Sequence, residues 1–187
     1  MSARNGNYAA FYVDEPHSAT DLGAHAAPDF IYFNQLRMWK GQDASFPFID
    51  SHDKTYDVRD GSDWEGTLKP RLRERLRASK NMVLFLSDST VASKALVEEI
   101  DYGINSEGLP IIVVYPEFNS KASLRDGEAF ADGITALWNK VPVFKASMGS
   151  VPTLPVPLLK KTISSALSNS DFMLETKGSA KAYYYKV

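Results

Sequence analysis

The sequence predicts an α/β domain built on a parallel, doubly wound sheet of five strands with helices on both faces, and three observations carry that prediction. Short apolar runs alternate with segments of helical period along the 187 residues, without internal repeats or low-complexity tracts. Residues 83–86 (VLFL) and 110–115 (PIIVVY) are apolar without interruption, as strands buried on both faces are. Residues 81–104 (NMVLFLSDSTVASKALVEEIDYGI) join a buried strand, a polar turn and an amphipathic helix without a break, which is half of a βαβ unit.

Composition sets the bounds. A chain of 187 residues with 44% hydrophobic and 24% charged residues is expected to form one domain, with a core over about residues 8–168 and a tail, 169–187, that pattern does not place. A net charge of -2 gives no basic footprint for nucleic acid. The absence of cysteine removes disulfides, thiolate nucleophiles and zinc-thiolate sites together. The first residues lack the apolar core of a signal peptide, and no apolar run approaches the ~20 residues of a membrane span, so a cytoplasmic protein is expected.

Taken in order, residues 8–13 (YAAFYV) read as the first strand, stopped by Asp14, Glu15 and Pro16. Residues 17–28 are small and weakly apolar, a loop. Asp29 can cap a helix running to about Lys40, with Phe30, Phe33, Leu36, Arg37 and Lys40 at helical spacing. Residues 46–50 (FPFID) read as a short second strand, followed by a long charged loop. Ser62 and Glu65 have capping-box spacing, and Pro70 suits the first turn of a helix carrying Leu68, Leu72 and Leu76. The arginines of that helix, Arg71, Arg73, Arg75 and Arg77, spread around it and read as a solvated face. Beyond the central run 110–115, residues 119–131 read as loop, 134–138 as a short helix and 141–144 (VPVF) as a fifth, edge strand. Residues 152–157 form a proline-rich entry to a helix over 158–167, and the final AYYYKV has strand propensity.

The helix after the Ser/Asp turn carries the residue of most chemical interest. Ser93 is placed to cap it, with Leu96, Val97, Ile100, Gly103 and Ile104 on one face. At ~100° per residue, Glu98 falls opposite that stripe, toward water, whereas Glu99 falls on its border beside Ala92, Ala95 and Tyr102. Asp101 occupies the other border by the same arithmetic, so helical geometry leaves a solvated helix edge as the competing reading of Glu99.

Other constellations are weaker. His17, His25 and His52 lack the spacing of a helical metal pair, fall in loops and read as surface residues. No GxSxG, GxGxxG or GxxxxGK[ST] occurs. Asp14, Glu15, Asp88 and Lys145 fall at the strand ends that a receiver-like phosphoacceptor uses, but Tyr115 and Pro116 stand where that fold wants Ser or Thr. A nucleoside deoxyribosyltransferase-like enzyme, with a carboxylate at the sugar carbon on a similar sheet, is another reading.

With these residues laid out, the chain resembles a TIR-like domain of the bacterial Thoeris antiphage-defence type. The resemblance lies in the aromatic first strand AAFYVDE, the Asp50-Ser51 strand end before a charged loop, LKPRLRERLRASKNMVLFLS, and the serine-rich turn and helix SDSTVASKALVEEI. It covers roughly residues 8–118. The family's helix shows a serine, an aromatic and a catalytic glutamate before an apolar residue; the matching positions are Ser93, Ala95 in place of the aromatic, and Glu99 before Ile100.

The resemblance implies a flavodoxin-like fold and cleavage of the nicotinamide–ribose bond of NAD by Glu99. The product is an ADP-ribose signal, cyclic in the defence family. It implies NAD as substrate with no further cofactor and no metal, and a pocket lined by Phe11, Tyr12 and Asp14 after the first strand, Asp50 and Ser51 after the second, and Ser87 and Asp88 after the third. A homo-oligomer, and an effector protein that senses the product, are the partners to expect. A TIR-like interaction module without catalysis is the alternative within the same resemblance.

Overall fold

The computed structural model describes residues 4–12, 29–52 and 63–183. Its strands are β1 (Gly6–Ala10), β2 (Ser79–Phe85), β3 (Ile111–Tyr115), β4 (Arg125–Asp126), β5 (Ala129–Phe130), β6 (Pro152–Pro157) and β7 (Lys181–Ala182). The helices are α1 (Phe30–Gln42), α2 (Lys69–Arg77), α3 (Lys94–Asp101), α4 (Asp132–Lys140), α5 (Pro142–Ser147) and α6 (Lys160–Ser168). Five strands form one all-parallel sheet in the order β1-β2-β3-β6-β7, while β4 and β5 make a small antiparallel hairpin. The predicted fold class is the observed one.

Alternation along the strands builds two cores. Tyr8, Ala10, Met82, Leu84, Leu86, Ile111, Val113 and Tyr115 point to the face covered by α2, α3, α4 and α5. Ala9, Val83, Phe85, Ile112, Val114, Leu154 and Val156 point to the other, under α1 and α6. Both sheet faces are therefore dry, as the uninterrupted apolar runs require. Close packing extends past α3, where a π-type turn, Tyr102–Ser106, follows: a Cβ on Gly103 would lie 2.3 Å from the Met82 side-chain tip.

Several element boundaries differ from expectation. The first strand is displaced toward the N-terminus, so Phe11 and Tyr12 follow it. The expected second strand, 46–50, is reduced to a single parallel bridge between Asn7 and Asp50. Counting that bridge, the segment at Asp50, β1, β2, β3 and β6 follow the flavodoxin-like order 2-1-3-4-5, with β7 added as a sixth strand outside β6, and the order reverses between β1 and β2. The expected strand at 141–144 is helix α5, with Pro142 in its first turn, where the missing N–H costs nothing. The expected helix entry at 152–157 is strand β6.

The prolines of β6 have a geometric account. The Thr153 carbonyl accepts from Tyr183 on the β7 side, so residues of the same parity, Pro155 and Pro157, turn away from β3. Among the described residues none pairs with β6 on that side beyond Thr153, and the two prolines place no missing donor on the β3 side. Asp63 caps the turn before α2, its carboxylate accepting from the Gly66 N–H at 2.6 Å; the expected cap, Ser62, lies outside the described residues. The arginines of α2 are not simply solvated. Arg73 donates to Glu98 at 2.7 Å and lies over the Tyr102 ring, and Arg77 pairs with Glu107 at 3.7 Å, tying α2 to α3 and the turn after it.

Candidate active site

Helix α3 begins where expected. Ser93 has extended backbone, and its hydroxyl accepts from the Leu96 N–H at 3.3 Å. Leu96 and Ile100 are fully buried against the sheet, which sets the rotation of the helix. Glu98 then meets α2, not water, and Glu99 turns toward β1. The Tyr8 hydroxyl donates to Glu99 Oε1 at 2.8 Å. Glu99 is therefore half-buried and has a partner, while Asp101, at the opposite border, is exposed. Burial pushes the Glu99 carboxyl up to about 8, against the opposing pull of the Tyr8 bond and the Arg75 charge. Burial, with the Glu99 charge and the bond to it, likewise raises the Tyr8 phenol well above its ordinary value.

A second set of groups backs onto Tyr8. Its ring lies 4.7 Å from the His52 ring. Asp50 accepts from the His52 N–H at 2.8 Å and contacts its Nδ1 at 3.2 Å, and Arg37 of α1 stands 3.8 Å from the other Asp50 oxygen. Burial raises the Asp50 carboxyl, but the His52 bonds and the Arg37 charge outweigh it and hold the group below its ordinary value. The Ser51 N–H donates to the Asn7 carbonyl at 3.2 Å.

Ser87 and Asp88 belong to a third group, at the carboxyl end of β2 where the strand order reverses. Asp29, fully buried, accepts from the Ser87 hydroxyl and, at 2.9 Å, from the Thr90 hydroxyl. The Tyr12 backbone N–H bonds the same carboxylate. Burial pushes Asp29 above its ordinary value, against those bonds and the Lys140 charge. Asp29 thus begins α1 without a side-chain cap bond, because its carboxylate ties the ends of β1 and β2 together. Asp88 is exposed; its N–H donates to Glu117 at 3.1 Å and its carbonyl accepts from Lys140.

Of the residues expected at the site, Glu99, Asp50 and Ser51 lie around Tyr8, and Tyr12, Ser87 and Asp88 lie around or beside Asp29. Strand β1 joins the two groups. Phe11 has the opposite parity and packs on Phe30 and Phe33, at 5.8 and 5.3 Å, on the α1 face. Asp14 lies outside the described residues. Tyr8, His52 and Asp29 are the partners that sequence reasoning passed over. Period-two parity with Tyr12 was the available signal for Tyr8; none marked Asp29, which reads as an ordinary cap.

An open recess of about 350 Å³ lined by Asp43, Ser45, Phe46, Lys160, Lys161, Ser164 and Ser165 shares no residue with these groups. Among the described residues, no three His, Asp or Glu side chains gather as a metal site, and no helix is long and apolar enough to cross a membrane.

A comparison with known families covers the same part of the chain. The model of the Thoeris protein ThsB, TIR-like domain, matches residues 8–121, more than half of the 187-residue chain. That span holds most of β1, all of β2, β3 and α3, and Tyr8, Asp29, Asp50, Ser87 and Glu99, and on it the chain belongs to the TIR-like domain family of the Thoeris protein ThsB.

Proposed function

We propose that this chain is an NAD-cleaving enzyme of Thoeris antiphage defence and that Glu99 is its catalytic residue. The observation that carries the reading is the Glu99 carboxylate, turned inward from α3 and bonded by Tyr8, within the span that matches the family. In NAD the ribose C1′ is bonded to a cationic nicotinamide ring. When that bond breaks, its electron pair goes to the ring nitrogen and nicotinamide leaves neutral, so no general acid is needed. Positive charge develops on the ribose, as in glycoside hydrolysis. A carboxylate beside the sugar stabilises that charge and accepts from a ribose hydroxyl.

Glu99 must be ionised to do this. Its raised midpoint means that the free protein is largely protonated there at neutral pH, and a cationic nicotinamide ring nearby favours the charged form. The sugar carbon is then captured by water, with loss of a proton to solvent, giving ADP-ribose, or by a nucleophile of the same molecule, giving a cyclic product. Orientation and exclusion of water favour the second course. Tyr12, Asp50, Ser51, Ser87 and Asp88 are the described residues proposed to line the site. A homo-oligomer, and an effector that senses the product, complete the proposal.

The test is incubation of the purified protein with NAD, followed by chromatography for nicotinamide and ADP-ribose products, with Glu99→Gln alongside. Nicotinamide release by the native protein and its loss in the variant are expected. Equal release by both removes Glu99 from the chemistry. No release from either, even in extract of infected cells, points to an interaction module.

A further inference from the structure

We propose that Tyr8 is the positioning residue of the catalytic carboxylate: its hydroxyl fixes the plane of Glu99 and so the direction in which Oε2 meets the sugar. The proposal rests on Glu99 being the catalytic group. Tyr8 sits in the middle of β1, paired with Met82 of β2, and is 1% exposed, so its ring has no freedom to follow a moving partner. A buried phenol is costly unless its O–H is bonded, and the 2.8 Å bond to Glu99 Oε1 meets that need. Phenylalanine would fill the same space without the cost, so core packing alone does not account for a tyrosine here.

The surroundings fix the ring further. His52 lies against it at 4.7 Å and is itself held by Asp50, while Phe33 of α1 meets His52 edge-on at 5.6 Å. The charged and titratable groups that bear on Glu99 are Tyr8 from β1 and Arg75 from α2, with His52 and Asp50 behind Tyr8. One oxygen of the carboxylate is thereby anchored to the rigid sheet, not to the helix that carries it. A side chain with three rotatable bonds needs such an anchor to hold a reactive geometry.

Tyr8→Phe tests this, because it deletes one oxygen and leaves the ring against His52. In NAD cleavage, kcat is expected to fall about tenfold to a hundredfold with little change in KM. The rising limb of kcat/KM against pH should move to higher pH by about half a unit or more, since a bond that favours the charged carboxylate is gone. A role in packing alone would not move that limb. The carboxyl-carbon resonance of Glu99, followed by NMR without substrate, should show the same upward move of its midpoint. An unchanged midpoint in Tyr8→Phe, or an unchanged limb and rate, overturns the proposal. If Glu99→Gln cleaves NAD as well as the native protein, the functional reading fails instead, and the carbon titration still decides whether Tyr8 holds Glu99.

Discussion

Glu98 and Glu99 are chemically identical and one position apart, yet the fold gives them opposite tasks. Glu98 pairs with Arg73 at 2.6 Å and fastens α3 to α2; Glu99 is desolvated beside Tyr8. Between its ordinary value of 4.5 and about 8, Glu99 keeps a proton in the folded chain that the unfolded chain has released. Stability therefore falls as pH rises through that window, by up to about 1.4 kcal/mol per pH unit. Glu99→Gln should flatten this slope and be more stable than the native protein near pH 8, as read from urea midpoints across the window. Asp29 is raised too and contributes with the same sign, but it is present in both proteins and cancels in the comparison. A variant with the native slope would show that Glu99 titrates in its ordinary range. Asp29→Ala should cost ~3 kcal/mol, because the Ser87 and Thr90 hydroxyls and the Tyr12 N–H lose a shared buried acceptor. A loss well under 1 kcal/mol, measured by denaturant unfolding, would mean that water takes over those bonds.

At the level of elements, Ser93→Ala should cost ~1 kcal/mol through the lost cap of α3, measured by the same unfolding experiment, and a neutral result would show the helix held by packing alone. That cap was legible in the sequence, as were the strands at β2 and β3, because both signals are local: a serine before an amphipathic run, and apolar runs with no polar face. Elements whose identity depends on a distant partner were not legible. Residues 141–144 look like strand by composition, but Pro142 opens a helix and Phe144 buries its ring in the core. β6 looks like a linker because it contains Pro152, Pro155 and Pro157, and only its register against β3 and β7 shows that Pro155 and Pro157 point where no donor is required. The candidate site divides in the same way. Glu99 was singled out by resemblance, since helical phase left Asp101 at an equivalent border, whereas its partner Tyr8 comes from a strand about 90 residues earlier, and the fate of Asp29 is set by side chains 58 and 61 residues away.

For the whole molecule, the span that carries the family match is not the span that folds. Residues 8–121 contain Tyr8, Asp29, Asp50, Ser87 and Glu99 of the candidate site, but β3, the middle strand of the sheet, pairs with β6 along its whole length, Ile111 with Thr153 through Tyr115 with Pro157. The core on the α1 face takes Leu154, Val156, Ile163, Ala166, Leu167 and Phe172 from beyond that span, and the core on the α3 face takes Ile134, Leu137, Val141 and Phe144. A further tie is polar: Asn81 of β2 accepts from Asn7 at 2.7 Å and donates to the Phe172 carbonyl at 2.9 Å, all buried. Cutting the chain after residue 121 would bare a long apolar strand edge, a ready template for aggregation, and expose both cores at once. Such a fragment should emerge from gel filtration as aggregate and lack a cooperative thermal transition, while the full chain melts in one. A monomeric fragment with a sharp transition would mean that the first three strands and their helices fold without the rest. Glu99 could then be studied on that shorter piece.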